Sequence, residues 1–348
     1  MNPIPDIISV APMMDWTDRH CRYFLRGFSP RIVLYTEMIT AAAIIHGDRD
    51  RLLGFDPEEQ PLALQLGGSD PSQLAVAARE GAARGFQEIN LNCGCPSDRV
   101  HAGTFGACLM LRPELVAECV EAMCASVPLP VSVKMRIGVV TGANARAQVG
   151  LFREEDYEQL RSFTAKVSAA GCQRFTVHAR KAVLGGLSPR QNREVPPLRY
   201  DVVQRLKQDF PTLSIGVNGG LRTVGQCRQA LTWADAVMLG REAYHRPQLL
   251  AELHRELLGA DWHCPEPAQL LERMAVYAER QIAVGERLSS ITRHMLGLCT
   301  GQVGAKRYRQ RLSEGARAIA PGSTPSEYAG RLLREAAQLC MPESTARV

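Results

Sequence analysis

The sequence predicts an α/β chain built as a (β/α)8 TIM barrel followed by a small all-helical bundle domain. Three observations carry this expectation. Eight short β-branched runs, each stopping at Gly, Asn or another polar residue, occur before residue 245. Ala-rich segments of helical period lie between most of them, and after about residue 248 the strand signal ends. Strand then helix, repeated eight times over roughly 250 residues, is the usual dimension of such a barrel. A doubly wound sheet is the alternative, but it needs no eightfold count and usually carries a Gly-rich turn after its first strand. This chain has APMMDWTD there. The expected division is 1–248 for the barrel and 249–348 for the helical domain.

The eight runs are Ile7–Met13, Ile32–Met38, Pro61–Gly68, Glu88–Cys95, Pro130–Gly138, Arg174–Arg180, Leu213–Gly220 and Ala236–Arg241. Pro71–Arg84, Pro113–Ser126, Glu154–Ala170 and Asp201–Phe210 have helical spacing. In VSVKMRIG, Val131, Val133, Met135 and Ile137 share one face, while Ser132, Lys134 and Arg136 share the other, which period two turns into the barrel. RFTVHAR likewise places Phe175 and Val177 outside, with Thr176, His178 and Arg180 inside. Beyond residue 248, Leu270, Met274, Tyr277 and Ala278, then Ile291 through Leu298, then Tyr328, Leu332, Ala336 and Leu339 recur at helical spacing. Pro265–Pro267 and Ala320–Pro325 read as breaks.

Composition narrows the class. The 348 residues are 45% hydrophobic and 22% charged, ample for a core, which excludes a disordered or collagen-like chain. The 11 cysteines are scattered without a CxxC pair, so a cytoplasmic protein with free thiols is expected rather than a secreted framework. No run approaches the ~20 apolar residues of a membrane span, and the start of the chain lacks the pattern of a signal peptide. No membrane partner is expected. The net charge of +5 is mild, but it is unevenly placed. Arg287, Arg293, Lys306, Arg307, Arg309, Arg311 and Arg317 face only one acid, Glu314, over that stretch. Such a run is either a solvated helix face or a surface for a polyanion.

Barrel sites form at the C-terminal ends of strands, and the loops after strands seven and eight commonly bind phosphate. Asn218, Gly219 and Gly220, with Gly240 and Arg241, supply amides and a cationic fork there. Lys134 sits mid-strand facing inward, where a lysine needs a negative partner or a chemical role. It could form a Schiff base, or hold charge on a reduced flavin. His178 shares a face with Arg180, and Gln65 precedes Gly67-Gly68 at a strand end. Cys95, between Gly94 and Pro96 and upstream of Gly103 and Gly106, is poorly placed for packing and is a candidate acid or nucleophile. Cys93 reads as structural and Cys108 as core filling. A metal centre on Cys93 and Cys95 lacks two further ligands, so no metal is expected.

In order, APMMDWTDRHCRYF, LQLGG, EINLNCGCPSDRV, GTFGACLM, VSVKMRIG, HARK, NREVPPL, NGGL and MLGREAY resemble the tRNA-dihydrouridine synthases, with RHMLGL and RLSEG extending the match into the helical tail. HARKAVLGGLSPRQNREVPPL is most similar to the A-type subfamily, which acts at position 20, and often 20a, of the tRNA D-loop. The resemblance implies an FMN barrel in which NADPH, with NADH as the alternative, reduces the flavin. The flavin N5 then delivers hydride to uracil C6, and Cys95 gives a proton to C5. It implies flavin contacts from the backbone of Ala11, Pro12 and Met13. Gln65, Lys134 and His178 would meet the ring and ribityl chain, and Asn218, Gly219, Gly220, Gly240 and Arg241 the phosphate. Asn92, Arg190, Arg193, Lys306 and Arg309 are implied to contact tRNA, as part of a monomer. Lys306 stands where relatives commonly have Arg, and Cys93 where an aliphatic residue or Met is usual.

The chemistry is consistent with that implication. Hydride arrival at C6 must be matched by protonation at C5, and a thiol of ordinary pKa, about 8.5, is mostly protonated at neutral pH. Three rival readings are a flavin barrel reducing a small pyrimidine, an RNA-binding protein without catalysis, and a lyase using Lys134. The first leaves the basic helical tail idle.

Overall fold

Each of the eight runs forms a strand in the structure, a computed structural model that describes residues 7–97, 105–142, 145–259, 262–316 and 324–339. The strands are β1 (Ile8–Val10), β2 (Val33–Tyr35), β3 (Leu62–Gly67), β4 (Glu88–Cys93), β5 (Val131–Arg136), β6 (Arg174–His178), β7 (Ser214–Asn218) and β8 (Ala236–Leu239). Successive strands pair in parallel, and β8 returns to β1 with Val237 opposite Ile8, which closes the barrel. Two short additions join it. Ile39–Thr40 extends beside the end of β3, and Val139–Val140 pairs with Ala182–Val183.

The outer helices follow from cap and stripe. Asp70 accepts the Gln73 N–H at 3.0 Å and Pro71 opens the first turn, so Pro71–Ala83 starts where the chain has a cap and a preset φ. Its Gly81 lets the helix lie on β3, since a Cβ there would stand 2.5 Å from Leu64 Cδ2. Pro113–Ser126 buries Val116, Cys119, Val120 and Met123, an i, i+3, i+4, i+7 stripe in which each full-sized apolar side chain contributes roughly 1.5–3 kcal/mol. Glu154–Ala169 and Tyr200–Asp209 bury comparable stripes.

The chain divides into two compact units, Met1–Asp15 with Ile32–Gly240, and Trp16–Arg31 with Arg241–Val348. The division falls after Gly240, and Trp16–Arg31, between β1 and β2, groups with the helical unit. Helix Arg19–Arg26 explains that excursion. Nearly all of it is buried, Tyr23 stacks on Tyr277 at 4.0 Å, and Arg273 covers the Tyr23 ring at 4.1 Å. Asp18 caps this helix through the Cys21 N–H at 2.9 Å and also binds Arg293 at 2.6 Å and His294 at 3.0 Å.

The second unit continues through Pro267–Ala283, Leu288–Thr292, Ala305–Gly315 and Pro325–Gln338. The spacing of Ile291–Leu298 predicts a helix throughout, but the helix ends at Thr292 and tight turns follow, bonded Met295 N to Thr292 O and Leu298 N to Met295 O. His294 is fixed between Asp18 and Tyr244, and Gly297 presses against the His245 carbonyl, so tertiary contacts override the local periodicity. Nine described cysteines are free thiols, whereas Cys299 is in a disulfide, against the expectation of free thiols throughout. Gly103, Arg317 and most of the break at 320–325 lie outside the described residues. Among the described residues no helix is long and apolar enough to cross a membrane.

Candidate active site

The C-terminal rim of the barrel is organised around the loop after β4. Alternation in EINLN turns Asn90 and Asn92 into the barrel, both buried. Asn92 Oδ1 accepts the N–H groups of Gly94 (3.1 Å) and Cys95 (3.0 Å), and its Nδ2 donates to Gln65 Oε1 at 2.7 Å. The Cys95 carbonyl accepts from Ala107 N–H at 2.9 Å. Cys95 is thus fixed on both backbone sides while the residue stays partly open. Cys93 is fully buried and burial pushes its thiol far above the usual range, which suits a structural residue. Cys108 is half-buried, packed against the cluster of Ala107, Ala182 and Leu184, with its Sγ donating to Phe105 O.

Inward-facing cations converge beside this loop. Lys134 Nζ donates to Asn218 Oδ1 at 3.1 Å. Although the residue as a whole is only partly covered, its ammonium lies beneath the surface, and burial, then the neighbouring Arg136, bring its pKa down to about 7. Arg136 is buried and reaches the carbonyls of Gly94 (2.9 Å), Lys181 (3.0 Å) and Asn192 (3.0 Å). Burial and the positive charges of Arg193 and Arg180 bring it to about 10, and a thiolate at Cys95 would offset that. His178 is held far below its usual range by burial and then by Arg136 and Lys134, so the ring is neutral. Its Nδ1 is buried without a partner among the described residues.

The glycine cradle sits at the ends of β7 and β8. Asn218 Nδ2 donates to Met238 O at 2.6 Å and ties the two strands together. Gly219 and Gly220 have φ of +111° and +73°, a backbone that L side chains rarely adopt. A Cβ on Gly219 would meet His178 Nε2 at 3.2 Å, and one on Gly220 would meet Leu198 Cδ1 at 2.4 Å. Ala11 N–H donates to Leu239 O at 2.7 Å, which places Ala11, Pro12 and Met13 beside Gly240; Met13 Sδ lies 3.9 Å from where a Gly240 Cβ would be.

The structure therefore assembles Cys95, Asn92, Gln65, Lys134, His178, Asn218, Gly219 and Gly220 in one barrel rim. Arg241 is the first residue of the other unit after Gly240 and opens helix Arg241–His245. Arg190 and Arg193 are exposed on the turn at Gln191–Arg193. Lys306 and Arg309 are exposed on Ala305–Gly315, three residues apart and so on one face. Among the described residues no group of three or more His, Cys, Asp or Glu could hold a metal ion.

Two residues to which the sequence assigns no role matter here. Strand alternation points Arg136 inward, but its three carbonyl partners are remote in the chain. Asn192 gives no signal at all, yet its amide bonds Val183 N and O at 2.8 and 3.0 Å and Leu187 O at 3.2 Å. It braces the turn that presents Arg190 and Arg193.

Fold and rim together define a (β/α)8 enzyme with a positioned loop thiol, a buried cationic set and a glycine cradle after β7 and β8. The dihydrouridine synthase family model matches residues 9–331, and the chain belongs to that family. It is 54% identical to the tRNA-dihydrouridine(20/20a) synthase of Synechocystis, over 88% of each chain. It is 49% identical to the protein of that name from Salmonella typhi, over 94% of this chain and 95% of that one. Among solved structures, a 2-naphthoyl-CoA reductase in complex with 2-naphthoyl-CoA shares the fold at a TM-score of 0.51 and 9% identity, covering 71% of this chain and 49% of that one.

Proposed function

We propose that this protein reduces the C5–C6 double bond of uridine at position 20 of the tRNA D-loop, and at 20a, with FMN as its cofactor and NADPH as reductant. The carrying observation is a rim thiol, fixed through its backbone beside a buried cationic cluster, in a chain half identical to proteins named for that reaction. The residues fit a flavin mononucleotide. The buried His178 Nδ1 lacks a hydrogen-bond partner that a ligand could supply, and Gly219 and Gly220 form a positive-φ turn at the end of β7, a backbone form that recurs in anion sites.

A bound reduced flavin supplies the hydride for uracil C6. The protein does the rest. Cys95 donates the proton to C5, and Asn92 and Arg136 keep its loop from drifting, since a positioned acid must lie within hydrogen-bond reach of its target. The Lys134 ammonium, oriented by Asn218, would offset negative charge on a reduced flavin held there. Arg190 and Arg193, together with Lys306 and Arg309, neutralise tRNA phosphates while the target base leaves its stack, which is cheap for a loop uridine.

The test is an unmodified tRNA transcript incubated with purified protein, FMN and NADPH, with dihydrouridine mapped by position. Product at 20 and 20a is expected. Cys95→Ala should keep its flavin absorbance and NADPH oxidation but form product at least about 100-fold more slowly, the scale of general acid catalysis. Full product from that variant removes Cys95 from the chemistry, and equal turnover of free uridine favours a small-molecule reductase.

A further inference from the structure

The amide side chains inside the barrel form one continuous hydrogen-bond chain, and both of its ends dictate the same direction. Glu88 opens β4 and is buried. Its Oε2 pairs with Arg174 at 2.7 Å, and its Oε1 accepts from the hydroxyls of Tyr35 (2.6 Å) and Ser132. An ionised carboxylate only accepts, so Ser132 must donate to it. Ser132 Oγ is then left to accept from Asn90 Nδ2 at 2.7 Å. Asn90 Oδ1 in turn accepts from Gln65 Nε2 at 2.7 Å, and Gln65 Oε1 from Asn92 Nδ2 at 2.7 Å. Asn92 is left with its oxygen facing the N–H groups of Gly94 and Cys95, which only donate. Every donor in the chain points towards Glu88.

We propose that Glu88, at the opposite end of the strands from the thiol, is a positioning residue for Cys95. Its charge fixes the orientation of three buried amides and so presents an acceptor to the Cys95 backbone. In the reversed orientation Asn92 would turn its NH2 towards two N–H groups, and the loop would lose both anchors. Buried amides have no water with which to repair such a fault, so the choice is propagated along the chain. Tyr35 and Arg174, which hold the carboxylate, also line a cavity of about 360 Å³ at the N-terminal end of the barrel. The consequence for proton donation rests on the function proposed above, whereas the alignment itself does not.

Reversal can be engineered. Asn92→Asp makes both ends of the chain acceptor-only, which forces two oxygens together somewhere between them. Adding Glu88→Gln gives Ser132 a donor, so the whole chain can reverse while the introduced carboxylate still accepts from Gly94 and Cys95. Denaturant unfolding of the two single variants and the double variant reads this directly. Each single change should lower stability, and the double variant should exceed Asn92→Asp in its folding equilibrium constant by about tenfold. Hydrogen exchange of the peptide bearing Gly94 and Cys95 supplies the second measurement. Ser132→Ala should speed exchange there by about fivefold, the worth of one net hydrogen bond, and Ser132→Thr should restore it. Additive losses in the double variant, or exchange untouched by Ser132→Ala, overturn the proposal. Neither readout involves turnover, so both succeed or fail independently of the Cys95→Ala assay.

Discussion

Lys134 should cost the apoprotein stability at neutral pH, and the cost should disappear in alkali. Burial brings its pKa from 10.5 to about 7. At 1.36 kcal/mol per pH unit, keeping the ammonium charged in the fold costs at most about 5 kcal/mol. Below pH 7 both folded and unfolded chains carry the proton and the cost is complete. Between pH 7 and 10.5 the unfolded chain holds more protons than the folded one, so stability rises with pH through that window. Lys134→Met removes the charge but also strips Asn218 Oδ1 of its donor, a loss of about 1 kcal/mol at every pH. The apoprotein of Lys134→Met should therefore be more stable than the parent by about 2–4 kcal/mol at pH 6. It should be slightly less stable at about pH 10.5. Urea unfolding across this range, without added flavin, measures both. A difference that does not change with pH, or a variant less stable at pH 6, refutes the assignment of burial as the cause.

Gly220→Ala should destabilise by about 1–3 kcal/mol, from its φ of +73° and a 2.4 Å approach to Leu198, and should weaken FMN binding in fluorescence titration. Gly240→Ala, whose nearest atom would be Met13 Sδ at an ordinary 3.9 Å, should leave stability nearly unchanged, so the pair separates backbone strain from space reserved for a ligand. Alanine at both Arg190 and Arg193, or at both Lys306 and Arg309, should reduce the salt dependence of tRNA binding by roughly 1.5–2 in log–log slope. An unchanged slope would place the phosphate contacts elsewhere.

The sequence is most legible where periodicity and burial coincide. Its β-branched runs locate all eight strands, and VSVKMRIG correctly divides Ser132, Lys134 and Arg136 from the shell because period two leaves no other arrangement. Several strands are two to four residues shorter than their runs, since Ala11–Met13 and Gly94–Cys95 leave the ladder to form the rim. The pattern in EINLN puts Glu88, Asn90 and Asn92 on one face and hints at the polar chain, but its partners Gln65, Ser132 and Arg174 lie 25 to 86 residues apart in sequence. Helix Arg19–Arg26 is the hardest case. Lying between two barrel strands, RHCRYFLR invites assignment to the barrel, and only long-range contacts decide otherwise: Tyr23 with Tyr277 and Arg273, and Asp18 with Arg293 and His294. Asn192 leaves no trace because a buried asparagine satisfied by main-chain atoms has no spacing rule.

The polar interior of the barrel is also asymmetric in charge, and that asymmetry has a physical consequence. At the N-terminal end the buried acid Glu88 is matched by Arg174. At the rim Arg136 opposes the charged form of Lys134, Arg180 and Arg193 press on Arg136 in turn, and Arg136 is answered by carbonyl oxygens rather than a carboxylate. Dipoles of carbonyl groups stabilise a cation without cancelling its charge, so a positive potential persists in a place of low dielectric. A carboxylate paired with Arg136 would cancel its charge and lower that potential. The carbonyl set instead keeps that potential available to whatever anion arrives, whether a phosphate or a reduced heterocycle, and no reorganisation is then needed at the moment charge develops.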